Sequence, residues 1–136
     1  MVKTLPRFTC LFVLMIYRQM IHHGAMNDIS SKLLYGCLET LVLAVLAKEP
    51  RHGYALKWTL AEKSKYHIQP GFGRLYPLLA ILERRGLIAG SIESAGRSRV
   101  RKVYAITSRG KTRLEFLLRQ WNGFQSAVNT LLRPSN

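Results

Sequence analysis

Arg74 and Tyr76 flank Leu75 near the start of the run Gly73-Arg74-Leu75-Tyr76-Pro77-Leu78-Leu79-Ala80-Ile81-Leu82-Glu83-Arg84-Arg85-Gly86, which carries an adjacent pair of arginines before its final glycine. Downstream, Arg97, Arg99, Arg101 and Lys102 put four cations into six residues, with Glu93 as the nearby acid. Guanidinium and ammonium groups beside an aromatic hydroxyl donate hydrogen bonds and form ion pairs, so the chemistry they suit is recognition of an anion. The groups that bond-making needs are scattered. Asp28, Glu39, Glu49, Glu62, Glu83, Glu93 and Glu115 lie mostly among lysines and arginines, and the sequence holds no glycine-rich phosphate loop, activated nucleophile or metal cluster. His22 and His23 are adjacent and cannot share a helix face, while His52 reads as a turn or cap residue rather than a base. We therefore expect neither an enzyme nor a bound metal or cofactor.

Composition points to the partner. Across 136 residues, 21 Lys plus Arg stand against 7 Asp plus Glu, a net charge of +14. Such an excess fits a polyanion, either nucleic acid or an anionic membrane surface, better than it fits solubility alone. The 48% hydrophobic content is that of an ordinary folded chain with a single core. Cys10 and Cys37 are isolated among apolar neighbours, so neither a disulfide framework nor a paired-cysteine metal site is encoded. A reduced, cytoplasmic compartment is expected.

Periodicity supplies the elements that must carry these cations. Leu75, Leu79 and Leu82, spaced four and then three, make one apolar helix stripe, and Arg74, Tyr76, Arg84 and Arg85 lie off it. The helix should start near Phe72 or Gly73 with Pro77 in its first turn, where a missing amide proton costs nothing. Gly86 supplies the stop. Upstream, Leu34, Leu38, Leu41, Val42, Val45 and Leu46 recur at helical spacing with few polar residues between them, which predicts a helix buried on most of its surface. Lys48-Glu49-Pro50-Arg51 should end it and His52-Gly53 should turn the chain. A second helix then runs from about Gly53 to Ser64, burying Leu56 and Leu60 and exposing Lys57, Lys63 and Lys65. Three helices with the third basic on its exposed face make a helix-turn-helix.

Beyond Gly86, Leu87–Ile92 and Val100–Ile106 read as a two-stranded hairpin whose tip and second strand are basic. A last helix, capped by Thr107 or Ser108, carries Leu114, Leu117, Trp121, Phe124, Val128 and Leu131 in a heptad seam, with Gly123 as a point of local bending. The seam predicts dimerisation; the alternative is that it packs back along the first helix. At the other end, Phe8–Tyr17 is nearly all apolar between Lys3 and Arg7 before it and Arg18 after it. At about ten residues it is short of the roughly 20 that span a bilayer, so no stable membrane insertion is expected. Gln19–Ala25 offers no small-x-small cleavage site for a secretory signal. The segment reads as an amphipathic helix lying on the domain or its partner, or as an extension upstream of a start at Met26. A basic protein anchored to a membrane surface by this segment is the rival function.

Leu34-Tyr35-Gly36 through Leu46, His52-Gly53-Tyr54, Gly73-Arg74-Leu75-Tyr76-Pro77 with Leu82-Glu83 and Gly86-Leu87-Ile88, and Arg101-Lys102-Val103-Tyr104-Ala105-Ile106-Thr107 with Gly110 together resemble the PadR family of bacterial transcriptional regulators, over about residues 33–132. The resemblance implies a mainly α fold with a small β-hairpin, a winged helix-turn-helix followed by a C-terminal dimerisation helix. It divides the chain into an extension (1–26), a DNA-binding domain (27–109) and a dimerisation helix (110–136). It implies a homodimeric repressor relieved by a small ligand or stress signal, of the compact branch with one short C-terminal helix. Ala80 and Ile81 depart from the basic or polar residues common in the family at those positions, and the apolar N-terminal extension matches nothing in the family pattern.

On that reading, two copies of the Phe72 to Arg85 helix enter successive major grooves of double-stranded DNA about 34 Å apart. Arg74 is expected to contact a guanine edge with two hydrogen bonds. Tyr76 and Lys57 would hold phosphates, and Arg97, Arg99, Arg101 and Lys102 would grip the backbone or enter a narrow minor groove. Trp121 and Phe124, mid-seam, are the expected surfaces for a small aromatic effector, or else simple anchors of the dimer.

Overall fold

In the computed structural model, which describes residues 31–94, 96 and 100–134, the change from polar to apolar sequence starts helix α1 (Ser31–Leu46). Strand β1 (Arg51–His52), helices α2 (Gly53–Lys63) and α3 (Phe72–Arg84), strands β2 (Ile88–Ser94) and β3 (Val100–Ile106) and helix α4 (Ser108–Leu132) follow. The core collects Leu38, Val42, Leu43 and Leu46 of α1, Leu56 and Leu60 of α2, and the α3 stripe of Leu75, Leu79 and Leu82. Ile88, Tyr104 and Leu114 close it from the sheet and from α4. A fully buried leucine contributes about 1.5–3 kcal/mol, so this single cluster orients every other element.

The expected hairpin forms from β2 and β3, and a third strand that the sequence reading did not include joins it. Arg51 and His52 pair antiparallel with Tyr104 and Val103, which makes a three-stranded sheet in the order β1-β3-β2. Two residues after Pro50 are too few to display alternation, so they read as a helix stop and a turn. β2 and β3 pair over seven positions from Ile88 opposite Ile106 to Ser94 opposite Val100.

Pro77 is also displaced from expectation. With Gly71 as N-cap, it falls in the second turn of α3. The amide it lacks would have bonded the carbonyl of Gly73, which lies in an exposed residue that water can reach. The end of α3 follows the glycine rule: Gly86 takes φ +72°, its amide donates to the Glu83 carbonyl at 2.9 Å, and Leu87 donates to Leu82 at 2.9 Å.

Thr107 caps α4, accepting from the Gly110 amide at 3.0 Å and donating to the Gly86 carbonyl at 2.6 Å. Gly110 passes so close to the residue before β2 and the end of β3 that a Cβ there would strike the Leu87 carbonyl and lie 2.7 Å from Ile106 Cγ1. The start of α4 is thus locked to the junction between α3 and the sheet. Gly123 does not break the helix, which runs on to Leu132.

Candidate nucleic-acid interface

Burial of Leu75, Leu79 and Leu82 leaves Gly73, Pro77, Ala80, Ile81 and Arg84 exposed on α3, and it sends the helix's other polar groups to its two flanks. On the α1 side, the Arg74 guanidinium lies 4.7 Å from the ring centroid of Tyr35. Stacking engages the guanidinium face and leaves its edge N–H groups for an acceptor. On the other flank Tyr76 stacks on Phe72 at 5.6 Å and lies against Gly53, where an added Cβ would meet Tyr76 Cε1 at 2.8 Å. Gly53 therefore clears the space that Tyr76 occupies.

The same surface carries a row of aromatic rings that the reading of single motifs missed. Tyr54 stacks on Phe72 at 5.7 Å and meets Trp58 edge-on at 6.1 Å. Lys57 Nζ sits 4.3 Å over Phe72 and 5.2 Å from Trp58, so this cation is held on the ring row that α2 and α3 share. The spacings 54/58 and 72/76, four apart on helices, were the available signal.

Lys102 forms an ion pair between elements. Glu93 is not the only acid near the basic arm: Lys102 Nζ reaches Glu83 Oε2 of α3 at 2.8 Å, and that hydrogen bond raises the lysine's pKa. The pair braces the sheet against α3 and partly neutralises Lys102. Arg101 is exposed and lies opposite Glu93 in the strand register, while Glu93 Oε2 is 3.8 Å from His52 Nε2. Arg97 and Arg99 lie outside the described residues. Between β3 and the start of α2 a cavity of about 620 Å³ is lined by His52, Gly53, Tyr54, Tyr76, Arg101 and Tyr104. His52 makes no side-chain cap to α2, and Arg101 with Lys102 makes the lining of this hollow basic.

A second polar centre joins three helices. Glu39 of α1 accepts from Arg113 of α4 at 3.0 and 3.3 Å, two parallel bonds, and from Arg85 at the end of α3 at 3.3 Å. It couples the end of α3 to α4. Along α4 the heptad seam divides in two. Leu114 is buried and Leu117 half-buried on the core, whereas Trp121, Phe124 and Leu131 are 41%, 58% and 83% exposed and Val128 is half-buried. The Trp121 and Phe124 rings lie 6.4 Å apart at 43°. Among the described residues no helix is long and apolar enough to cross a membrane.

A helix packed by one leucine stripe beside a basic β-hairpin, both on a three-helix core, defines a winged helix-turn-helix DNA-binding protein. Residues 42–116 match the transcriptional regulator PadR-like family, and the chain belongs to that family. It is similar to a PadR family transcriptional regulator from Eggerthella lenta, at 33% identity and a TM-score of 0.69 over 89% of this chain and 99% of that one. A PadR-like transcriptional regulator from Bacillus cereus matches at 30% identity and a TM-score of 0.67, over 77% of this chain and 100% of that one. An uncharacterized protein of Lysinibacillus sphaericus is 27% identical over 107 residues, covering 76% of this chain and 95% of that protein. The chain is a DNA-binding transcriptional regulator and not an enzyme.

Proposed function

We propose that this regulator is a cytoplasmic homodimeric repressor whose two α3 helices read an inverted repeat and whose grip on DNA is released by a small aromatic ligand. The winged domain comprises residues 27–109, and the helix from 110 onward joins the two copies. The observation that carries the reading is the division of α4. Its first turns complete the monomer core, and its later turns expose Trp121, Phe124, Leu131 and Leu132, which no other element among the described residues covers. A second copy of the same helix buries that seam and relates the two reading heads by a twofold axis.

In this assembly Arg74 contacts a base edge, Tyr76 and Lys57 hold phosphates beside the ring row, and Arg97, Arg99, Arg101 and Lys102 follow the backbone from the wing. The paired Trp121 and Phe124 rings, doubled across the axis, form the flat walls of an effector cleft.

Light scattering and operator-binding titrations test the proposal together. Wild-type protein should run as a dimer, and Phe124→Arg should yield a monomer with at least tenfold weaker operator binding. Arg74→Ala should cost about 1–3 kcal/mol on the operator and little on random duplex, whereas Arg101→Ala should weaken both and lower the salt slope. A strictly monomeric wild type at high concentration, or equal losses on both DNAs for Arg74→Ala, refutes the corresponding half. Trp121 quenching by aromatic acids in a Trp58→Phe background reports the effector site.

A further inference from the structure

The face that α3 turns away from the core is unusual for a reading helix. Gly73, Pro77, Ala80, Ile81 and Arg84 form one exposed stripe opposite Leu75, Leu79 and Leu82. Four of the five have no hydrogen-bonding side chain, and Arg84 stands at the far end in the last turn. The remaining polar side chains are engaged at the flanks: Arg74 over Tyr35, Tyr76 on Phe72, Glu83 with Lys102 and Arg85 with Glu39. What projects from the middle of the helix is aliphatic carbon, with Ile81 44% exposed at its centre.

That face belongs to a chain of net charge +14, and Arg74 and Arg84 border it, so the occupant its electrostatics select is a polyanion. A DNA duplex presents one apolar group in its major groove, the C5 methyl of thymine. A guanine or adenine edge set against the same stripe would lose its water and gain no partner, which is unfavourable. We propose that the α3 stripe reads thymine, with Ile81 packed on a thymine methyl and Ala80 and Pro77 admitting the close approach. This inference rests on the DNA-reading role of α3 and assigns it a base. Discrimination at the centre of each half-site comes from methyl burial and shape, while hydrogen-bonded contacts are confined to the helix ends.

The test uses the full chain and a random duplex library. Recovered sequences are resynthesised with deoxyuridine replacing thymidine at one position at a time, which removes only the methyl group. Burying one methyl-sized group is worth about fourfold in affinity, so one or two positions per half-site should lose about that factor and the rest should be indifferent. Ile81→Ala, which changes an exposed side chain, should lose about that same factor on the thymidine site and become indifferent to the methyl at one of those positions. A wild type indifferent to every deoxyuridine, or an unchanged thymidine-to-deoxyuridine ratio in Ile81→Ala, overturns the thymine assignment while sequence-specific binding stands. Recovery of no preferred sequence from the thymidine library overturns the DNA-reading role itself.

Discussion

Replacing Glu39 by glutamine should loosen the link between α3 and α4 by an amount the geometry sets. The carboxylate takes two bonds from Arg113 at 3.0 and 3.3 Å but one from Arg85 at 3.3 Å. Side-chain exposure is 22% for Glu39, 30% for Arg113 and 46% for Arg85, so water screens the second pair more than the first. Exposed ion pairs contribute about 0.2–1 kcal/mol, and breaking a fully buried pair costs about 3–5 kcal/mol. A half-buried two-bond pair lies between these limits. Glu39→Gln should therefore destabilise by about 1–2 kcal/mol, because the two guanidiniums are left facing a neutral group. Urea unfolding at fixed protein concentration measures it, with Arg85→Met and Arg113→Met and their double mutants completing two cycles. The Glu39–Arg113 coupling should be about 1 kcal/mol and the Glu39–Arg85 coupling at most about half that. A larger coupling to Arg85, or a loss below about 0.3 kcal/mol for Glu39→Gln, refutes the reasoning.

Gly110→Ala should destabilise by about 3 kcal/mol, since its Cβ meets the backbone carbonyl of Leu87, which cannot swing aside as a side chain can; thermal unfolding measures it. Lys65, with φ +53°, holds the left-handed position after α2, and Lys65→Gly should stabilise by roughly 0.5 kcal/mol once the greater chain entropy of glycine offsets part of the relief, a change visible as a higher urea midpoint. Stability should decline in alkaline solution. Lys102 has its pKa raised from 10.5 chiefly by its bond to Glu83, and Tyr104 has its own raised from 10.0 chiefly by burial. Both contributions are whole below those ordinary values and are lost as pH climbs through the higher folded ones, so the melting temperature should begin to fall above about pH 10, and less steeply in Glu83→Gln.

Most elements of the fold were legible in the chain itself. Leucines at 75, 79 and 82 announced α3 and its buried side, Gly86 its end, and Thr107 or Ser108 the cap of α4, of which the structure takes Thr107. The rise in positive charge along the second strand marked the basic arm. The heptad from Leu114 to Leu131 was visible as well, although its spacing gave no sign that the first two members close the core while Trp121, Phe124 and Leu131 are left exposed among the described residues.

Fold class, the stripe on each helix and the abundance of cations were settled by sequence alone, because each depends on neighbours within one element and on composition. Tertiary structure decided where the cations go. Glu39 finds Arg85 and Arg113 across 46 and 74 residues, Glu83 finds Lys102, and Arg74 comes to rest over Tyr35. It also turned Arg51-His52 into a third strand, since two residues become a strand only when β3 is there to pair with them. Helix periodicity reports which side of an element is buried, but the pairing of side chains from different elements is fixed only once the shared core has set their distance and angle.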